Sequence, residues 1–208
     1  AALRVFARGV NSRQKGEFGK KRFPARRKMC YNIGRAARGV CMDFELLQWE
    51  PSLAPSLAES ANDARISRWL RDAFPYPYSL ADAKKFINFA QNAGESELNF
   101  AIVAEGKAVG GISLTRQPDV YRRSAELGYW LNPACWGRGV MTEAVRRACA
   151  EGFARWNIVR IFAEPFAGNA ASRRVLEKCG FALEGVKKRS VYKNGEYSDS
   201  CMYAHIKE

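Results

Sequence analysis

Gly137 and Gly139 flank Arg138 in the run CWGRGVMTEA, residues 135–144. The run follows an alternating apolar stretch, AELGYWL at residues 125–131, and opens a long helical pattern. A strand that hands over to a helix through glycines leaves first-turn N–H groups without partners and presents the positive end of the helix dipole. Such a place attracts phosphate or pyrophosphate. Its donors would be the N–H groups of Trp136, Gly137, Arg138, Gly139, Val140 and Met141. A plain tight turn is the other reading of the same glycines.

The remaining chemistry-bearing residues exclude more than they offer. The six cysteines (30, 41, 135, 149, 179 and 201) form no CxxC pair, and His205 is the single histidine. That composition argues against a zinc site and against a Ser-His-Asp enzyme. We expect no metal. The cysteines read as reduced, mostly buried thiols of a cytoplasmic protein. Cys135 is either a small space-filling residue or an accessible thiol beside the glycine loop. His205 reads as surface or structural.

The elements that must position the glycine loop follow from periodicity and punctuation. A strand is expected over 43–49, and helical spacing over 51–70 with a break near Asn62-Asp63. The two prolines in Phe74-Pro-Tyr-Pro-Tyr78 force an extended loop. Ser79, with Asp82 three residues on, signals a helix N-terminus, and the helix runs to about Asn92. Strands follow at 98–104, 108–116 and 124–131, then a helix at 139–156, a strand at 159–164 and a helix at 170–178. The last two strands, 181–193 and 196–206, are joined by Asn194-Gly195, a strong hairpin signal. Three meander strands before a β-α-β crossover predict an α/β fold with a mixed sheet and helices on both faces. No apolar run approaches the roughly 20 residues that span a bilayer, so no membrane partner is expected.

The net charge of +13 is unevenly placed. Residues 1–41 carry twelve Lys or Arg against one acid, Glu17, and the remainder is nearly balanced with 22 basic and 20 acidic residues. The chain therefore divides into a basic, poorly ordered extension at 1–41 and one domain at 42–208. Leader sequence, an organelle-targeting segment, or an arm that contacts RNA or the ribosome all fit the extension. A charge-only argument for nucleic acid does not reach the domain.

The element order and the glycine loop together resemble the GNAT superfamily of acyl-CoA N-acyltransferases. The residues that carry the resemblance are Glu126-Leu-Gly-Tyr-Trp130, Trp136-Gly-Arg-Gly139 with Thr142-Glu-Ala144, Asn169-Ala-Ala-Ser172, Glu177-Lys-Cys-Gly-Phe181 and Glu184-Gly185. It covers about residues 43–206 and is closest to the ribosomal-protein alanine N-acetyltransferase (Rim-type) branch. The segment from Arg71 to Tyr78 also looks like a loop of bacterial members of that branch. The superfamily's phosphate loop reads Gln/Arg-x-x-Gly-x-Gly/Ala. Of the three specified positions, Gly139 matches; Trp136 and Met141 depart in the Rim manner.

The resemblance implies a GNAT fold and an N-acetyltransferase that moves acetyl from acetyl-CoA to a primary amine by direct attack, with no covalent enzyme intermediate. The coenzyme A pyrophosphate would sit on residues 136–141. Its pantetheine arm would extend the sheet along Tyr129, Trp130 and Leu131, where a backbone N–H would also face the oxyanion. Asn169 would bond the pantetheine or simply cap its helix. The superfamily's usual Tyr acid falls at Leu176, so Ser172, beside the thioester sulfur, would be the acid or a plain helix hydroxyl. Glu126, on the strand face of Gly128 and Trp130, is the candidate base or a structural partner of an arginine such as Arg123. A Glu seen in ribosomal-type enzymes before the hairpin Tyr is Val191 here. The acceptor would lie among Arg71, Phe74, Tyr76, Tyr78 and Tyr192, near Asp199 and Tyr203. It would be a protein N-terminus or a small-molecule amine, bound by a monomer or a homodimer. The competing reading is a catalytically idle fold whose basic arm binds RNA or the ribosome.

Overall fold

The computed structural model describes residues 42–207; the expected basic extension at 1–41 lies outside them. Seven strands form one sheet in the order β1-β2-β3-β4-β5-β7-β6. Their ranges are β1 Glu45–Gln48, β2 Glu97–Ala104, β3 Lys107–Arg116, β4 Ser124–Leu131, β5 Arg160–Ala163, β6 Ala182–Lys193 and β7 Glu196–Ile206. All neighbours are antiparallel except β4 and β5. That parallel pair is joined by the helix α4 at Val140–Arg155, as a crossover requires.

Both faces of the sheet centre are covered, which is why β4 is buried from Ala125 to Leu131. One core packs Leu127, Tyr129, Val145, Ala148, Ile161 and Leu176 beneath α4 and α5, the helix Ala170–Lys178. The other packs Trp49, Leu57, Phe86, Ile87 and Trp130 beneath α1 (Ala54–Ala61), α2 (Ala64–Ser67) and α3 (Leu80–Asn92). Period-two alternation along β4 sends Tyr129 to the first core and Trp130 to the second.

Local chemistry sets the boundaries. The helical stretch expected at 51–70 resolves into a 3-10 turn at Pro51–Leu53, α1 and α2. The break falls at Asn62-Asp63. There Asp63 accepts from the Arg65 N–H to start α2, and Asn62 accepts from the Tyr78 N–H at 2.9 Å. Ser79 and Asp82 form a reciprocal capping box that opens α3. Asn194 and Gly195 both take positive φ, 53° and 84°, in the tight turn between β6 and β7.

Candidate functional site

β4 and β5 pair only at Ser124–Arg160, Ala125–Ile161 and Glu126–Phe162, yet β4 runs on to Leu131. The two strands therefore diverge after Glu126. Among the described residues the β4 edge turned toward β5 has no strand partner from Leu127 onward, which is the opening the pantetheine pseudo-strand would need.

β4 leads through a short turn, Pro133–Cys135, into the glycine loop. Gly137 and Gly139 take φ of +75° and +77°, a region that favours glycine. A Cβ built on either would meet nothing within 4 Å, so the loop faces open space. The first bond back to the helix cap runs from the Glu143 N–H to the Gly139 carbonyl at 3.1 Å. The N–H groups of Val140, Met141 and Thr142 precede it and have no partner within α4. Trp136 departs from expectation: its backbone N–H is spent on the Pro133 carbonyl at 3.1 Å. Its indole N–H donates to the Leu131 carbonyl at 2.8 Å, folding the ring over the end of β4. Arg138 is exposed, whereas Val140 and Met141 carry their side chains into the core.

Across the divergence stands the first turn of α5. Asn169 caps it, its Oδ1 accepting from the Ser172 N–H at 3.1 Å. That bond is a helix cap, and the amide NH2 takes no part in it. The Ser172 Oγ lies 2.8 Å from the Tyr129 hydroxyl, and the same hydroxyl reaches the Ser172 carbonyl at 3.2 Å. Burial pushes the Tyr129 phenol well above its ordinary range, against the lowering effect of the Ser172 bond. Tyr129 is thus a protonated donor that ties β4 to α5. Sequence reasoning valued Tyr129 for its backbone and missed its hydroxyl.

The opposite face of β4 carries Glu126, which is buried and paired with Arg71 at 2.7 Å, not with Arg123. A second carboxylate, Glu164, lies just beyond β5. It accepts from the Ser200 hydroxyl at 2.6 Å and from Lys187 Nζ at 2.8 Å. Burial pushes the Glu164 carboxyl up, but the Lys187 and Ser200 hydrogen bonds, with the charges of Lys187 and Arg71, hold it below the usual range. The Arg71 charge therefore acts on both acids. Glu164 was not singled out from sequence; the one signal was a carboxylate directly before Pro165 at a strand end.

Phe74 packs against Tyr78 and Trp130, with ring centroids 4.9 and 5.8 Å apart. It forms one wall of a cavity of about 680 Å³ that also takes in Tyr76, Asp72, Arg65, Arg68 and Lys193. Four expected acceptor residues sit elsewhere. Tyr78 is buried in the core, held there by its backbone bond to Asn62. Tyr203 is also buried, donating to Glu177 Oε1 at 2.7 Å and accepting from Arg173 at 3.2 Å. Tyr192 is 63% exposed and packs on Tyr197 near the hairpin tip. Asp199 is tied to Lys188 and to the Arg189 N–H on β6.

Cys135 is buried, and burial raises its thiol against the opposing charge of Arg138. His205 faces the Gly180 carbonyl at 3.2 Å between the rings of Phe153 and Phe181. Among the described residues no cluster of three or more His, Cys, Asp or Glu could hold a metal. Nor is any helix there long and apolar enough to cross a membrane.

A mixed sheet with diverging parallel strands, and a glycine loop feeding a helix N-terminus at the divergence, defines an acyl-CoA-binding transferase. Residues 43–182 match the acetyltransferase (GNAT) domain, and the chain belongs to that family. It is an acetyl-CoA-dependent N-acetyltransferase of Rim-type character. One relative, "Putative ribosomal N-acetyltransferase YdaF" of Bacillus subtilis, is 31% identical over 164 residues, covering 76% of this chain and 88% of its own. The RimL ribosomal L7/L12 alpha-N-protein acetyltransferase in complex with coenzyme A superposes with a TM-score of 0.71 at 25% identity, covering 81% of this chain and 96% of that one. The microcin C7 self-immunity acetyltransferase MccE, in complex with acetyl-CoA and AMP, gives 0.69 at 25% identity over 80% and 94%.

Proposed function

We propose that this enzyme acetylates the N-terminal amine of a protein or peptide by direct attack on acetyl-CoA. The observation that carries the reading is the opening where β4 leaves β5, with glycine-loop amides, Ser172 and Glu126 around it. The names of YdaF and RimL point to ribosomal proteins as acceptors of those relatives. The cysteine usage fits a reducing cytoplasm.

The N–H groups of residues 137–141 hold the pyrophosphate at the start of α4. The open edge of β4 at Tyr129, Trp130 and Leu131 takes the pantetheine arm and offers an N–H to the developing oxyanion. Glu126, held in place by its ion pair with Arg71, receives the amine proton directly or through one water. The neutral amine adds to the thioester carbonyl, and collapse of the tetrahedral intermediate breaks the C–S bond. Ser172 gives its proton to the departing thiolate, recovers one through water from the nitrogen as the neutral amide forms, and is held for that task by Tyr129. Placement of the two reactants supplies much of the acceleration.

The test is a panel of peptides with free and blocked N-termini, alongside small amines, incubated with acetyl-CoA. Thiol release and product mass are the readouts. Acetylation confined to free α-amines supports the reading. Transfer to lysine side chains or small amines, with none to peptide N-termini, overturns it.

A further inference from the structure

We propose that the cavity beside the acceptor entrance reads an acidic side chain among the first few residues of the acceptor peptide. This rests on the peptide-acceptor reading above and deepens it.

The cavity brings three cations, Arg65, Arg68 and Lys193, together with one acid, Asp72. Two of the cations are already satisfied. Arg65 is forked onto Asp63 by bonds of 2.6 to 3.1 Å, and Lys193 reaches Asp72 at 2.8 Å. Arg68 differs: no carboxylate pairs with it among the described residues, and its guanidinium lies 4.7 Å from the Trp69 ring centroid. The side chain is exposed, and a guanidinium with no carboxylate of its own can take an incoming carboxylate bidentately. Phe74, Pro75 and Tyr76 supply apolar wall for a peptide stem.

The cavity also adjoins the reaction centre on two sides. Phe74 packs on Trp130 of β4. Trp69, under the Arg68 guanidinium, fits so closely against Gly168 that a Cβ there would lie 3.2 Å from the indole. Gly168 immediately precedes Asn169, the cap of the helix that bears Ser172. A peptide whose amine enters between Glu126 and Ser172 thus leaves along a wall that ends in an unpaired guanidinium.

The experiment uses the full chain, acetyl-CoA, and hexapeptides with one shared N-terminal residue and Asp or Asn at each of positions two to five. We expect one position at which Asp raises kcat/KM about tenfold over Asn, a preference that shrinks as salt is added. Arg68→Gln brings that ratio close to one, and Arg68→Lys retains part of it. Arg68 is exposed, and acetyl-CoA affinity of each variant by calorimetry reports that it is folded. Equal acetylation of Asp and Asn peptides at every position overturns the inference and leaves the peptide-acceptor reading standing. Acetylation of no peptide overturns that reading and the inference with it. A preference for a phosphate-bearing small amine over every acidic peptide also overturns the inference.

Discussion

Removing the Tyr129 hydroxyl tests the donor relay at its least obvious member. That hydroxyl has one hydrogen and two acceptors in reach, Ser172 Oγ at 2.8 Å and the Ser172 carbonyl at 3.2 Å. When Tyr129 donates to Oγ, the serine keeps its own hydrogen free for the thiolate. Burial keeps the phenol protonated, so Tyr129 positions the serine and does not surrender its proton. Tyr129→Phe preserves the ring in the core and deletes the bond. The stability cost is that of one buried hydrogen bond, about 1 kcal/mol, which lowers the melting temperature by roughly 2–4 °C. The catalytic cost should be larger in proportion: kcat falls about tenfold, or ~1.4 kcal/mol, with KM for acetyl-CoA unchanged. Ser172→Ala should fall at least as far. The double variant should be no slower than Ser172→Ala alone, because the tyrosine acts only through the serine. Stopped-time thiol release on all four proteins measures the cycle. Independent, multiplicative losses would refute the relay, and a melting shift with wild-type kcat would make the bond purely structural.

The other predictions concern the loop, the base and Glu164. Gly139→Trp places an L-residue at φ +77°, costing about 1–2 kcal/mol, and its indole fills the open space over the α4 N-terminus; calorimetry should find no coenzyme A binding, and unchanged affinity would remove the phosphate assignment. Glu126→Gln should lose most of kcat/KM at neutral pH and recover it as pH rises through about 8, where an α-amine deprotonates unaided; a flat pH profile would deny Glu126 the proton. Because the Glu164 carboxyl is held low by Lys187 and Ser200, its stability contribution is present above the ordinary carboxylate range and is lost as pH falls through the lowered value. Lys187→Met should therefore lower the urea midpoint more at pH 6.5 than at pH 3.5, and an equal difference at both would show that the pair contributes no pH dependence.

Backbone features of the site were legible because each rests on a few adjacent residues. The alternation in residues 125–131 marks β4, Gly137 and Gly139 mark a left-handed turn, and Ser79 with Asp82 marks a capped helix; all three are local, and all three are where the pattern put them. Pairings across the fold were not legible. Tyr129 meets Ser172 over 43 residues of separation, and Arg71 meets Glu126 over 55. Period two says that Tyr129 and Glu126 lie on opposite faces of β4, but it cannot say which residue waits on each face. The acceptor wall shows the same limit. Aromatic residues after Arg71 suggested a pocket, yet Tyr78 turned inward because Asn62, sixteen residues earlier, holds its backbone. Arg68, which lines the cavity and pairs with no carboxylate among the described residues, was not singled out from sequence.

That asymmetry bears on how this enzyme divides its work. On the proposed reading the donor side rests mainly on main-chain groups at a helix start and a bare strand edge, which tolerate substitutions such as Trp136 and Met141 at the loop's specified positions. The acceptor side, on the same reading, rests on side chains of α2, the loop after it and the final hairpin, which line the cavity outside the sheet centre. An exchange of Arg68 should accordingly change which amines are acetylated and leave acetyl-CoA affinity where it was. An exchange of Gly139 should remove the donor whatever the acceptor. Finding that Arg68 variants lose acetyl-CoA as readily as Gly139 variants would show that the two sides are not separable in this fold.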